Sequence, residues 1–357
     1  MRRRDVLAGA GLAGGAALAF PAPAIAQGAR RLTMVTDWPE GPGLLTSARR
    51  LGQAITEASG GRLTVEVFAS GALVRPLETF DAVEAGVADM FHSHIGYFAR
   101  KSPAFHFYSA VPFGFTANEL FAWVRFGGGQ ALWDDLAGQF NVKPLLCCST
   151  GTQMGGWFRN EVVTAEGFRG LRYRMAGLGA EVFRRLGATV VMLPAADIVQ
   201  ALRSGAIDAC EWGGPWIDTA MGLHRVAGYY YYPGWHEPGA AVSLGISRTV
   251  WDSLEDSDRR LIETAAAAEY ATALAEFDTN NAAALARLRA EKSVQLRRFD
   301  AAMLKSFAQI ARELVDEVGS DAPAAAIYRS YRDFRASIRA WTAVADAAFL
   351  DSRRLSD

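Results

Sequence analysis

Cysteine is scarce in this chain: of 357 residues three are cysteine, Cys147 and Cys148 adjacent and Cys210 alone. Three cysteines at these spacings build no disulfide framework. Cys210 beside Glu211 lacks the second sulfur that a thiolate metal site needs. Cys147 and Cys148 fall in Leu145-Leu146-Cys147-Cys148, an apolar run that reads as a buried strand, where cysteine behaves as a small hydrophobe. Net charge is nearly absent too, with 37 Lys+Arg against 38 Asp+Glu giving −1. That balance argues against an electrostatic grip on nucleic acid or an anionic membrane. No stretch approaches the ~20 apolar residues of a membrane helix. G-x-S-x-G, H-E-x-x-H and a supported S-x-x-K are all missing, so the sequence announces no hydrolase. His236-Glu237 is the best available catalytic pair, and no nucleophile accompanies it.

The N-terminus carries information of another kind. Arg2, Arg3 and Arg4 precede an uncharged stretch at 6–20, and Ala24-Ile25-Ala26 before Gln27 has the small-x-small form of a signal-peptidase site. Residues 1–26 therefore read as an export signal, which places the mature chain outside the cytoplasm. Arg3-Arg4-Asp5-Val6-Leu7 suits twin-arginine export, and a Sec signal with a basic start is the alternative. Gly9-Ala10-Gly11-Leu12-Ala13-Gly14 matches the dinucleotide fingerprint letter for letter. No strand precedes it, so the turn that holds a pyrophosphate at a helix N-terminus cannot form there.

Along the mature chain strands and helices alternate. Leu32-Thr33-Met34-Val35 reads as a strand, Leu44, Ala48, Leu51 and Ile55 as one helical stripe, and Leu63-Thr64-Val65-Glu66-Val67 as a second strand after Gly60-Gly61. This βαβ pattern predicts a parallel sheet. A weak echo links residues 83–90 with 202–209: each is a helix end, a glycine stop and a strand start, suggesting two lobes of similar build facing a common cleft. Residues 258–290 contain neither Gly nor Pro. They predict one long helix capped by Ser257, bent near Asn280-Asn281, and long enough to span both lobes. A strand at 294–296 and helices at 301–318 and from Pro323 toward Leu355 complete the chain. Phe334, Ile338 and Trp341 form a stripe on the last helix that packs on its own lobe or against a second copy.

Three segments carry the chemistry: GTQMGGWF around Gln153, LRYRMAG around Arg174, and IDACEWGGP around Glu211 and Trp212. An amide, a guanidinium and a carboxylate from separate strand ends make a socket for a small carboxylate, with room for a metal ion. A guanidinium fits a carboxylate with two parallel N–H donors. Arg172 shares the parity of Arg174 and is its decoy. His92 and His94, two residues apart and without a carboxylate ligand to accompany them, are weak evidence for zinc and read as structural.

The segments GTQMGGWFRNEV, GLRYRMAG, LRSGAIDACEWGGP and YYYYPGWHEPG, with the export signal and long helix, resemble the solute-binding proteins of tripartite ATP-independent periplasmic (TRAP) transporters. The pattern is most similar to the branch that binds 2-oxo and 2-hydroxy acids. Such a resemblance implies an α/β fold of two lobes with a hinge, a central cleft and a long connecting helix. It assigns 28–150 plus about 241–280 to lobe 1, and 151–240 plus about 281–357, with the C-terminal helices, to lobe 2. It implies a periplasmic binder, not an enzyme, delivering a small carboxylate to membrane permease subunits. A C4-dicarboxylate or sugar acid, or a sensor or metal-dependent enzyme built on the same cleft, are the alternatives. The resemblance gives the substrate's carboxylate to Arg174 and a Na⁺ or Ca²⁺ ion to Gln153, Glu211 and Trp212, with Glu237 on metal or substrate and no organic cofactor. Tyr97, Phe98, Trp212 and Trp235 are its cleft-lining aromatics. Ser149 stands where asparagine is expected. A homodimer through the C-terminal helix is a further implication.

Overall fold

The computed structural model describes residues 29–291, 294–322 and 324–356. The export segment and Pro323 lie outside the described residues. The chain folds on two mixed sheets. The first has the order β2-β1-β3-β10-β4, from β1 (Arg30–Thr36), β2 (Leu63–Phe68), β3 (Met90–Ser93), β4 (Val142–Gly151) and β10 (Ala240–Ser247). The second has the order β11-β9-β5-β8-β6-β7, from β5 (Gly156–Phe158), β6 (Arg172–Arg174), β7 (Thr189–Val191), β8 (Ala209–Cys210), β9 (Tyr229–Tyr232) and β11 (Gln295–Arg298).

The opening unit forms as its periodicity dictates. The helix Leu44–Ala58 buries Leu44, Ala48, Leu51 and Ile55 along one face. Gly60 and Gly61, at φ 63° and 80°, supply the left-handed turn that returns the chain to β2. β1 pairs in parallel with both β2 and β3. The echo also has a structural counterpart: Gly86 and Gly205 both adopt left-handed backbone, and each leads into a strand inside its own sheet, β3 and β8.

Neither sheet is wholly parallel, in contrast to the sequence expectation. In the first, β10 runs antiparallel to β3 and β4; in the second, β5 runs antiparallel to β8 and β9. Both exceptions have one cause: β10 and β5 are the strands that enter from the other sheet. The chain leaves β4 and reaches β5 through 152–155, and leaves β9 and reaches β10 through 233–239.

The helix Asp256–Ala290 runs unbroken, and its buried Ile262, Ala266, Ala273, Phe277 and Leu288 join a core containing Leu32 and Met34 of the first sheet and Trp157 and Tyr230 of the second. Glu269 on this helix is buried but fully partnered, accepting from Ser47 Oγ at 2.6 Å and from Arg50 at 2.7 and 2.8 Å. The helix begins one residue before Ser257, so the expected serine cap falls in the first turn. Asp256 and Asp258 there suit the positive end of the helix dipole instead.

The helix Ala301–Ser320 is capped by Asp300 and buries Phe307 and Leu314 in the second lobe's core. The final helical region is broken at Ala345 into Ala325–Val344 and Asp346–Arg353. Ile327 and Tyr331 return to the core of the first lobe, with Phe334 and Ile338 packed against it. The helix Ala325–Val344 thus packs on the first lobe, where the sequence division had grouped it with the second. Trp341, from the same stripe, is 65% exposed.

Candidate ligand site at the lobe crossings

The two inter-sheet segments are tied together. Gln153 N donates to Glu237 O at 3.2 Å, Thr152 Oγ1 to Pro238 O at 2.8 Å, and Gly155 N to Tyr231 O at 2.7 Å. Gly234 permits this closeness, because a Cβ there would lie 2.1 Å from the Gln153 carbonyl oxygen. Gln153 and Glu237 are therefore placed by backbone bonds made where the chain passes between lobes.

Arg174 ends β6 and Glu211 follows β8, its parallel neighbour. Arg174 Nη1 donates to the Glu211 backbone carbonyl at 2.6 Å, Nε to Leu193 O at 3.3 Å, and the guanidinium lies 5.3 Å from the Trp212 ring. The Glu211 carboxylate is 3.5 Å from Nη1. Arg172, the decoy, is spent on the surface, donating to both oxygens of Asp208 at 2.6 and 2.9 Å.

These groups enclose a cavity of about 20 Å³ lined by Gln153, Arg174, Glu211, Trp212, Glu237 and Tyr97, among others. Six residues singled out from the sequence thus meet at one place. Two do not reach it. Phe98 packs on Phe80 and Phe91 in the first lobe's core, with ring centroids at 5.2 and 6.0 Å. Trp235 packs on Phe113 and Phe307 at 5.5 and 4.7 Å, so the crossing turns its ring away and presents Glu237 instead. Ser149 points back into the hinge, its hydroxyl donating to Ala240 O at 2.8 Å.

The cavity also takes Trp38, Leu44, His94 and Thr150, which the sequence reading had not placed there. His94, set aside as structural, stands with Nε2 3.7 Å from Glu237 Oε1, and both its ring nitrogens lack a hydrogen-bond partner among the described residues. Its signal was unreadable because Glu237 is distant in sequence. His236 similarly stands 3.9 Å from Glu211 Oε1, an electrostatic contact rather than a hydrogen bond.

Burial sets the electrostatics. It pushes Glu237 well above the usual carboxylate range, with the Glu211 charge adding and Arg174 opposing. Burial acts to raise Glu211 as well, but His236 and Arg174 outweigh it and hold that carboxyl low. Burial takes His94 down to about 4, leaving it neutral at ordinary pH. Glu211 is thus the anionic oxygen donor of the site. Gln153 Nε2 is committed to Thr150 Oγ1 at 3.1 Å, whereas the buried Oε1 has no hydrogen-bond partner among the described residues. An idle amide oxygen near an ionised carboxylate is a hard-donor set of the kind Na⁺ or Ca²⁺ accepts. No group of three or more His, Cys, Asp or Glu positioned for a metal occurs among the described residues, so a cation here would need amide, carbonyl or ligand oxygens.

Residues 34–321 match the family described as bacterial extracellular solute-binding protein, family 7. The chain belongs to that family. Family 7 proteins of this kind are periplasmic TRAP solute-binding proteins, which serve transport rather than catalysis and work with a membrane permease. The chain is 36% identical over 320 residues, 89% of its length and 88% of the relative's, to a monocarboxylate 2-oxoacid-binding periplasmic protein of Nostoc sp.. Its fold is similar, with TM-score 0.89 and 30% identity over 92% of this chain and 98% of the other, to a TRAP transporter solute-binding protein of Bordetella bronchiseptica RB50. That protein is a mixed-occupancy dimer with copurified calcium and picolinate in one active site and an apo second site. A TRAP periplasmic solute-binding protein of Pseudoalteromonas atlantica T6c, with sodium and pyruvate bound, gives TM-score 0.87 and 33% identity over 90% and 98% of the two chains. No helix among the described residues is long and apolar enough to cross a membrane.

Proposed function

We propose that this protein captures a small 2-oxo or 2-hydroxy monocarboxylate in the periplasm and delivers it to TRAP permease subunits. In this reading the Arg174 guanidinium receives the carboxylate, and a Na⁺ or Ca²⁺ ion is held by Gln153 Oε1, the Glu211 carboxylate and the Trp212 carbonyl. The bound cation supplies positive charge for the carboxylate and 2-oxygen of the substrate. Glu237, whose carboxyl burial raises above the usual range, faces the ligand from the crossing, and Tyr97 and His94 bring the first lobe onto a ligand held mainly by the second. Contacts made only with the lobes together shift the protein toward a closed form.

The observation that carries the proposal is the idle, buried Gln153 Oε1 beside the ionised Glu211 and Arg174. The solute-bound relatives from Bordetella and Pseudoalteromonas support the cation. Thermal-shift measurements on the mature protein with pyruvate and lactate, in calcium, in EDTA and in sodium-free buffer, test it. A cation-dependent rise with either acid is expected. A rise confined to C4-dicarboxylates or sugar acids would overturn the substrate, and a metal-independent rise would overturn the cation.

A second copy is the other partner we propose. Trp341, Val344, Phe349 and Leu350 are exposed on the last two helices, apolar side chains that a homodimer would cover.

A further inference from the structure

A groove of about 340 Å³ shares no lining residue with the Arg174 cavity. Its walls are the helix Ala301–Ser320, rooted in the second lobe, and the helix Ala325–Val344, packed on the first, and residues 111–113 lie between them. Arg312 enters from the first helix, and Arg332, Arg335 and Arg339 from the second, where spacings of three and four set them on one face. The only carboxylate in the lining is Asp316, which already accepts a hydrogen bond from the Tyr328 hydroxyl. Four guanidinium groups thus surround a space large enough for a small ligand.

Little in the protein answers that charge. Arg332 pairs with Asp333 at 3.4 Å, but both side chains are exposed, and such a pair is weak in water. Arg335 Nη2 donates to the Phe113 backbone carbonyl at 2.6 Å, which orients the guanidinium without neutralising it. Arg312 and Arg339 have neither a hydrogen bond nor an ion pair among the described residues. Like charges at these spacings destabilise a helix, and a bound anion relieves the repulsion.

The floor of the groove is firmly built. Tyr331 is buried there, its ring 4.2 Å from that of Phe115. Phe113 takes left-handed backbone at φ 55°, a conformation rare for a bulky residue and held by its surroundings. Its N–H donates to Trp235 O at 2.7 Å, and its ring stacks on Trp235 at 5.5 Å. The carbonyl that orients Arg335 is therefore fixed to the 233–239 crossing.

We propose that this groove is a second binding site, for a multivalent oxyanion of small-molecule size bearing carboxylates or phosphates. The anion spans the lobes, with one anionic group on Arg312 and another on Arg335 and Arg339. Arginine's planar fork suits both kinds of oxyanion, and guanidinium groups on facing helices favour a ligand with two charged ends over one with a single end. The site stands apart from the reading of Arg174 and does not depend on it.

Calorimetric titration of the mature protein with citrate, pyrophosphate and acetate tests this, in ~0.15 M salt to screen diffuse attraction and without divalent cations. The variants are Arg312→Gln, Arg339→Gln and Arg174→Ala. The two glutamine substitutions change exposed side chains and leave the core untouched. Citrate or pyrophosphate should bind at least about tenfold tighter than acetate, and each glutamine variant should lose roughly fivefold or more. Arg174→Ala should leave this binding unchanged. The tighter of the two multivalent probes identifies the oxyanion as carboxylate or phosphate. Multivalent anions that bind no tighter than acetate would overturn the site. A loss confined to Arg174→Ala would place the anion in the cleft instead. Full affinity in Arg312→Gln would overturn the bridge between the lobes.

Discussion

Arg174 donates to the backbone carbonyl of Glu211 at 2.6 Å while the Glu211 carboxylate stands 3.5 Å off. The guanidinium is positioned by main chain, so its charge is not neutralised by a bidentate internal ion pair. Removing it leaves a buried carboxylate ligand without its counter-charge. Arg174→Ala should weaken ligand binding by at least ~2 kcal/mol, and Arg174→Lys by a similar amount because a lysine cannot reproduce the forked contact. Isothermal titration measures both; near-native affinity in the alanine variant would remove Arg174 from the site.

Glu211→Gln and Gln153→Ala act on the proposed cation. Each should lower cation-dependent ligand affinity by tenfold or more while shifting the melting temperature of the ligand-free protein far less. Titrations at fixed ligand and varied calcium or sodium separate the two effects. A variant whose ligand affinity no longer depends on the cation, yet is undiminished, contradicts the assignment.

The crossing itself is sensitive at Gly234. A Cβ would meet the Gln153 carbonyl oxygen at 2.1 Å and its carbonyl carbon at 2.4 Å, both backbone atoms that cannot swing aside. Gly234→Ala should destabilise the protein by more than ~2 kcal/mol and weaken ligand binding by separating Gln153 from Glu237. Denaturant unfolding and ligand titration of the same variant check both halves.

Asp218 provides a pH signature. Burial raises its carboxyl to about 7, against hydrogen bonds from Tyr230 OH at 2.7 Å and Trp157 Nε1 at 2.9 Å that favour the charged form. Because its pKa is raised on folding, the native state holds a proton that the unfolded chain releases near the ordinary aspartate value of 3.8. The resulting stabilisation is present below about pH 4 and is lost as pH rises to about 7. Asp218→Asn should flatten stability against pH across that window by on the order of 1–4 kcal/mol. An unchanged profile in urea unfolding from pH 4 to 8 would show that Asp218 is already ionised.

The exposed apolar surface of the last two helices predicts association. Light scattering should find a dimer, and Trp341→Asp with Phe349→Asp should yield monomers with ligand affinity retained. A wild-type monomer at all concentrations would dispose of this interface.

Much of the fold was readable because its signals are local. The stripe Leu44, Ala48, Leu51, Ile55 and the Gly- and Pro-free run at 258–290 specify helices whatever surrounds them. Direction within a sheet is not local, which is why the reversal of β5 and β10 was invisible: it follows from strands entering from the opposite lobe. The failed placement of Phe98 and Trp235 has a similar origin. An aromatic beside a functional residue can face the cavity or the core, and here Phe80, Phe91, Phe113 and Phe307 offered better-packed neighbours.

By itself the amino-acid sequence singled out Arg174, Gln153, Glu211 and Glu237 as candidates for one polar site, since each sits in a short motif whose residue types have few other uses. Tertiary structure alone decided that His94 faces Glu237, that Arg172 is tied to Asp208, and that Trp38 and Trp212 meet across the cleft. These relations join residues from 36 to 174 positions apart, and only the packing of two sheets through a pair of crossings brings such residues within reach.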